Sequence, residues 1–314
     1  MSRIHDALKK AEQDRARRSV TSLDPKTADL SEIADSVQGD DLSVSAPDAE
    51  LPMGAGHGYG AEQLTVEVIK AHVRRVKWNP NPHMTLFFSK DVYAPGTEDF
   101  RTLRSRLYGL RDFQPLRTIL VTSASPREGK SFISSNLAQI FVQQPDRRVL
   151  LIDGDLRWSR LHLSLGTPST PGLSEYLEGN IDELSVMQRG PLENLFFIPG
   201  GKHPSAPAEL IANGRFKILL ERLAPLFDWV IIDSPPAMAV SDPRVMADLC
   251  DGVLLIVGAA MGPYDILQKT RQQFTDKRVL GVVLNRAEPR MSYSYKYYGY
   301  YQGPALNGKG KGKG

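Results

Sequence analysis

The sequence predicts an α/β fold in which a mostly parallel sheet carries helices on both faces, flanked by a flexible N-terminal region and a tyrosine-rich C-terminal tail. Three observations predict it. From residue 117 onward, short β-branched runs alternate with longer segments of helical period, the pattern of strands joined by crossover helices. Each group of residues suited to chemistry falls where one of those strands ends. Finally, both ends of the chain lack the apolar content needed to form a core of their own.

Taken in order, residues 1–20 carry six Lys/Arg against three acids. Ile4, Leu8 and Ala11 share one face of an expected amphipathic helix, with Ser2 or Asp6 as its cap. Residues 21–65 reverse the balance, with nine acids against Lys26 alone. Their Ser, Asp, Pro and Gly content cannot offset the entropy of ordering, so residues 21–63 read as an acidic linker. Residues 64–83 form a short basic amphipathic segment, a helix in which Val66, Ile69, Val73 and Val76 recur at helical spacing until "NPNP" stops it. The main domain spans 84–290. Its strands are "TILVTS", "RVLLID", "LFFIP", "WVIIDS", "GVLLIVG" and "LGVVLN", and its helices "KSFISSNLAQIFVQQ", "PAELIANGRFKILLERLAPL", "PRVMADL" and "YDILQKTRQQFTD". Residues 291–314 close the chain with Tyr293, Tyr295, Tyr297, Tyr298, Tyr300 and Tyr301, then a Gly/Lys run.

With 314 residues, 41% hydrophobic and 24% charged, the chain can build one sizeable α/β domain with appendages. Cys250 alone cannot form an intrachain disulfide, and its apolar surroundings give it a packing role in a reducing compartment. No apolar run approaches the roughly 20 residues a bilayer span requires, and the first residues lack the apolar centre of a secretory signal. These features lead to an expectation of a cytoplasmic protein. The net charge of +3 gives no reason to expect nucleic acid as a partner.

"ASPREGKS" has P-loop spacing, with Ala124 in place of the first glycine. It follows a strand and opens a helix, so the backbone of Ser125, Pro126, Arg127, Glu128 and Gly129, and of Lys130, Ser131 and Phe132 beyond, can cradle a phosphate. Lys130 neutralises phosphate charge and Ser131 offers a hydroxyl to Mg²⁺. "RVLLIDGDLR" then ends a strand with Asp153 and Asp155, which can hold metal or accept a proton, and "WVIIDSPP" ends another with Asp233. Arg157 is free either to contact phosphate or to form an ion pair. The whole is a P-loop NTPase-type sheet, with a nucleotide and Mg²⁺ as its expected ligands.

Together with the tyrosine cluster, these motifs resemble the bacterial tyrosine kinases of exopolysaccharide and capsule biosynthesis. "EDFRTLRSRL" is similar to that family's Glu-x-x-Arg-x-x-Arg helix, and "FFIPGGKHPSAPAELI" to its glycine-proline loop, although Ala206 stands where the family usually has Asn. The resemblance implies an ATP-dependent autokinase in which Asp153 is the base or a metal-associated carboxylate, Asp155 and Asp233 position Mg²⁺, and Asn285 of "GVVLNR" approaches the adenine base. It also implies that Glu98, Arg101 and Arg104 contact a neighbouring subunit in a ring. The tail tyrosines would then be the acceptors, phosphorylated in trans. It further implies a separate membrane-spanning polysaccharide copolymerase as activator, at the inner face of the plasma membrane. Two other readings share the core motifs. One is a partitioning or site-selection ATPase without kinase activity, a type that carries a lysine where this chain has Ser125; the other is a nucleotide-bound scaffold.

Overall fold

The computed structural model describes residues 64–88 and 96–287. The expected N-terminal helix, the acidic linker and the tyrosine tail lie outside the described residues. In chain order the elements are α1 (Val66–His72), β1 (Arg74–Arg75), α2 (Thr97–Arg111), β2 (Thr118–Ser123), α3 (Lys130–Val142), β3 (Val149–Asp153), α4 (Leu161–Leu165), α5 (Leu173–Leu177), β4 (Gln188–Arg189), β5 (Leu195–Ile198), α6 (Pro207–Ala212), α7 (Arg215–Leu223), β6 (Trp229–Asp233), α8 (Asp242–Ala247), β7 (Gly252–Gly258), α9 (Tyr264–Gln272) and β8 (Val279–Asn285). The eight strands run β1-β4-β5-β3-β6-β2-β7-β8 across one sheet, among the described residues. All neighbouring pairs are parallel except β4 with β5.

The alternation of side chains along each strand divides the interior into two cores. Leu120, Leu150, Ile152, Phe196, Ile198, Val230 and Ile232 point to one face, where α5, α7 and α8 cover them with Leu173, Phe216, Leu219 and Met246. Ile119, Val121, Leu151, Phe197, Trp229 and Ile231 point to the other, beneath α2, α3 and α4. Burial on both faces explains why these strands read as unbroken apolar runs. At the centre of the second core the Phe141 and Trp229 rings stack 4.3 Å apart, Tyr108 meets Trp229 edge-on, and the Trp229 indole donates to the Tyr108 hydroxyl.

Three expectations are corrected. The helix expected across 66–76 stops at His72; Val73 turns extended, and Arg74–Arg75 pairs with β4 as a basic edge strand. The single helix expected over 207–226 is two, separated at Asn213–Gly214, where Gly214 adopts φ +82 and the Asn213 carboxamide accepts from the Arg215 N–H. A 3₁₀ turn, Ala224–Leu226, follows. The third concerns the segment between β3 and β5, for which no element was expected; it contains α4, α5 and β4. Cys250 packs against the first core, and its burial pushes the thiol pKa up, as expected of a structural thiol.

Candidate active site

The site is assembled at the carboxyl ends of β2, β3 and β6, which are adjacent in the sheet. The loop between β2 and α3 passes through two left-handed residues, Arg127 at φ 66 and Gly129 at φ 97. That path brings the chain into α3 at Lys130. Pro126 and Arg127 are exposed, whereas Glu128 is 4% exposed despite its charge. Its carboxylate accepts from the Ser125 N–H at 2.7 Å and from the Gly258 N–H at 3.3 Å, so it ties the loop to itself and to the end of β7. Ser131 lies beside Asp233 and its hydroxyl helps to hold that carboxyl's pKa down, and the Ser134 hydroxyl donates to Asp233 at 3.0 Å. Phe132 offers only its backbone, because its ring packs edge-on to Phe100.

Asp153 and Asp233 are partners across the β3–β6 pair. Gly154 allows the close approach that joins their strand ends: its N–H donates to the Asp233 carbonyl at 2.8 Å, and a Cβ there would press on that same oxygen. The Asp153 Oδ2 accepts from the Ser159 hydroxyl at 2.8 Å and from the Arg160 and Leu161 N–H groups at 3.1 Å each. Its Oδ1 has one long contact, 3.3 Å from the Asp155 N–H. Asp155 in turn accepts from the Trp158 N–H and holds the Lys130 ammonium at 3.2 Å.

The electrostatics follow from burial. Asp153 and Asp233 are 0% and 2% exposed. Desolvation raises the pKa of both carboxyls; for Asp153 the neighbouring Asp233 adds to the rise, and for Asp233 the Lys130 charge opposes it. Burial also works against the charge of Lys130, but Asp233 and Asp155 outweigh it and hold the ammonium above the usual lysine value. Three carboxylates around one lysine leave the site with surplus negative charge. That surplus, with the Ser131 hydroxyl, suits a divalent cation. Among the described residues no group of three or more His, Cys, Asp or Glu forms a ready-made metal cage.

The other expected residues are placed as follows. Asn285 lies beside the loop: its Nδ2 donates to the Glu128 carbonyl at 2.9 Å, and a Cβ on Gly129 would overlap its amide. Arg157 takes its ion-pair alternative, meeting Asp242 at the start of α8 through Nε at 2.9 Å and Nη2 at 3.2 Å. Glu98 and Arg101 pair within α2, while Arg104 donates to the Ile140 carbonyl at 3.1 Å. Glu98 is exposed, Arg101 and Arg104 are both half-buried, and Arg104 reaches toward α3.

Sequence reasoning assigned no function to the glycine-proline loop after β5, but it supports the site. The Pro199 and Gly200 carbonyls accept from the first N–H groups of α5, and a Cβ at Gly200 would strike Ser159, the same serine that donates to Asp153. Gly201, at φ +87, lies against the buried carboxylate of Glu175. Ala206 caps α6 with no side-chain bond, and Pro207 occupies the helix's first position. A cavity of about 580 Å³ lies at the opposite end of the sheet, lined by Arg117, Thr118, Leu220, Cys250 and Asp251 among others. It shares none of the residues of the candidate site.

Comparison with known proteins shows the family. A family model, the CobQ/CobB/MinD/ParA nucleotide binding domain, matches residues 119–302. The chain is 30% identical over 205 residues to the tyrosine-protein kinase YwqD of Bacillus subtilis, covering 65% of this chain and 86% of that protein. It is 36% identical over 190 residues to the tyrosine-protein kinase ptk of Acinetobacter johnsonii, where the match takes in 60% of this chain but only 26% of the relative. It therefore spans about a quarter of that longer relative. Among solved structures it is similar to the kinase domain of the Escherichia coli tyrosine kinase ETK, at 31% identity and a TM-score of 0.60, over 66% of this chain and 84% of that domain.

Proposed function

Because the chain belongs to the CobQ/CobB/MinD/ParA nucleotide-binding family and, within it, to the bacterial tyrosine-protein kinases, we propose that it transfers the γ-phosphoryl group of ATP to tyrosine. The observation that carries this reading is the meeting of Lys130, Asp155, Asp153 and Asp233 at adjacent strand ends beside a left-handed phosphate loop. Bound Mg-ATP would supply the phosphoryl group, and its metal the positive charge that the buried carboxylates lack.

The chain's own residues then do the following. The backbone N–H groups at the start of α3 and the Lys130 ammonium bind phosphate oxygens and stabilise charge as the phosphoryl group moves. Ser131, Asp155 and Asp233 hold the metal. A phenol of pKa about 10 is a weak nucleophile at neutral pH, so catalysis rests on placing it in line and removing its proton. Asp153 accepts that proton at Oδ1, the oxygen with a single long contact, and its raised pKa suits a base working near neutrality. Ser159 and the turn that follows keep Oδ2 fixed.

The acceptors are Tyr293, Tyr295, Tyr297, Tyr298, Tyr300 and Tyr301, modified in trans within an oligomer to which Glu98, Arg101 and Arg104 of α2 contribute. Each phosphate brings about −1.5 to −2 charge, so a modified cluster repels its neighbours and loosens the assembly. Among the described residues no helix is long and apolar enough to cross a membrane. We assign the membrane-spanning part to a separate polysaccharide copolymerase, which the N-terminal segments reach at the inner face of the membrane, and through which phosphorylation regulates polymer export.

The test is incubation with Mg-ATP followed by mass spectrometry. Wild type should carry phosphate on the tail tyrosines, and a variant with all six changed to Phe should carry none. ATP hydrolysis with every tyrosine unmodified, even with the membrane partner present, would instead identify a regulatory ATPase.

A further inference from the structure

We propose that the outer edge of β8 takes the chain's own tyrosine segment as an added strand: residues 292–297 return antiparallel along Gly281–Asn285 and lay Tyr293 and Tyr295 over the groove between β8 and α9. The docking stands on the fold alone; its consequence for phosphoryl transfer rests on the reading of these tyrosines as acceptors.

The two edges of the sheet are finished differently. β1, at one end, is two residues long and presents Arg74 and Arg75, the short, charged form in which edge strands resist further pairing. β8, at the other end, is seven residues long and has no strand on its outer side among the described residues. Its ladder to β7 shifts register at Val253–Leu254 and then runs regularly from Gly281 to Asn285. Val282 and Leu284 share one face of this stretch and are 54% and 59% exposed. A groove of about 370 Å³ opens between that face and α9, lined by Leu255, Tyr264, Leu267, Arg271, Val279 and Val282. An unpaired apolar edge of this kind is a template for another strand.

The segment that follows β8 has the matching pattern. Arg286, the first residue past the strand, is left-handed at φ 57, a conformation found in the turns that reverse a chain. Pro289 has no N–H to continue a ladder. Beyond it, Ser292, Tyr293, Ser294, Tyr295, Lys296 and Tyr297 alternate polar with aromatic, the period of a half-buried strand. An antiparallel return that sets Tyr293 opposite Leu284 sets Tyr295 opposite Val282, and a slip of one residue would turn the serines and the lysine to that face instead. The phenol rings then cover the aliphatic side chains while their hydroxyls stay in water. A second copy could offer its own β8, but residues 286–291 tether the segment to the edge and give it the high effective concentration of a short linker. Because β8 ends beside the phosphate loop, at Asn285, a segment running back toward Val279 carries its hydroxyls away from the chain's own Lys130 and Asp153. Release from the edge is then the step that makes a tyrosine available to a neighbouring site.

The test is backbone amide exchange on the full chain without nucleotide, at low and high protein concentration. Amides of residues 292–297, and those of Val282–Asn285 that face away from β7, should be protected equally at both. Val282→Lys combined with Leu284→Lys should speed exchange of residues 292–297 by about tenfold or more. Tyr293→Ser combined with Tyr295→Ser should do the same and Tyr300→Ser combined with Tyr301→Ser should not; these variants leave every described residue in place and decide the matter if the β8 variant unfolds. Unprotected rates for residues 292–297 in wild type would overturn the proposal, as would protection that appears only at high concentration, which would identify pairing between copies. With Mg-ATP added, the β8 variant should phosphorylate its tyrosines several-fold faster than wild type at first, and an equal initial rate would overturn the consequence drawn for transfer. Phosphate on neither protein would remove the kinase reading and leave the exchange result standing.

Discussion

The two flanks of the phosphate loop are held by different physics. On the β3–β6 side, Asp153, Asp155 and Asp233 are buried around Lys130, and a bidentate Arg157–Asp242 pair anchors the next turn. On the β7–β8 side, most of the ties are backbone amides and carbonyls met by the Asn285 amide and the Glu128 carboxylate. The first flank stores uncompensated charge and the second fixes shape. Charge must stand where phosphoryl transfer develops it, whereas shape can be imposed from a neighbouring strand with little electrostatic consequence.

If that contrast holds, damage to the first flank should be large and sensitive to pH and metal. The greatest effect is expected from Lys130→Met, which removes a cation facing three carboxylates. Tyrosine phosphorylation measured by mass spectrometry should fall by about a thousandfold or more, in keeping with loss of a transition-state charge contact. Next is Arg157→Ala, which strands a fully buried Asp242. Because the Arg157 guanidinium is itself about a third exposed and water can reach the vacated site, the cost is about 1–3 kcal/mol, to be read as a lowered denaturant midpoint. Gly154→Ala tests the seam between the strand ends: the new methyl would press on the Asp233 carbonyl and destabilise the fold by about 1–3 kcal/mol.

A pH series gives the contrast its sharpest form. Asp153 and Asp233 have folded-state pKa values above their unfolded ones, so the folded chain binds protons more tightly there. Their contribution to stability is fully present below the ordinary carboxylate range and is lost as pH rises toward neutrality. Without nucleotide, Tm should therefore decline over that interval. Asp233→Asn should flatten the decline and abolish the stabilisation that Mg-ATP gives wild type. The smallest effect belongs to Ser159→Ala, about 1 kcal/mol for one hydrogen bond to Asp153. Equal pH dependence in Asp233→Asn and wild type would dissolve the distinction between the flanks.

The sequence made the central strands legible because each is a β-branched run buried on both faces, and it made Lys130, Asp155 and Asp233 legible because they occupy fixed offsets from strand ends. It did not reveal β1 and β4, since two-residue strands carry no period, nor α4 and α5, which are five residues each. The Asn-Gly pair at 213–214 was the readable sign of the helix break that was overlooked. The buttresses of the site were hidden for a different reason. Glu128 meets Gly258 and Arg157 meets Asp242 across separations of 130 and 85 residues, and no local pattern encodes such contacts.

The stacked rings of Phe141 and Trp229 give the molecule an optical handle. Phe141 lies near the far end of the helix that begins at Lys130, and Trp229 lies on the strand that ends at Asp233. Any sliding of that helix when the loop closes on an anion changes the overlap of the two rings. Trp78 is buried as well, so in a Trp78→Phe background the emission of the one remaining buried indole among the described residues, blue-shifted relative to that of the exposed Trp158, reports the movement without an added label.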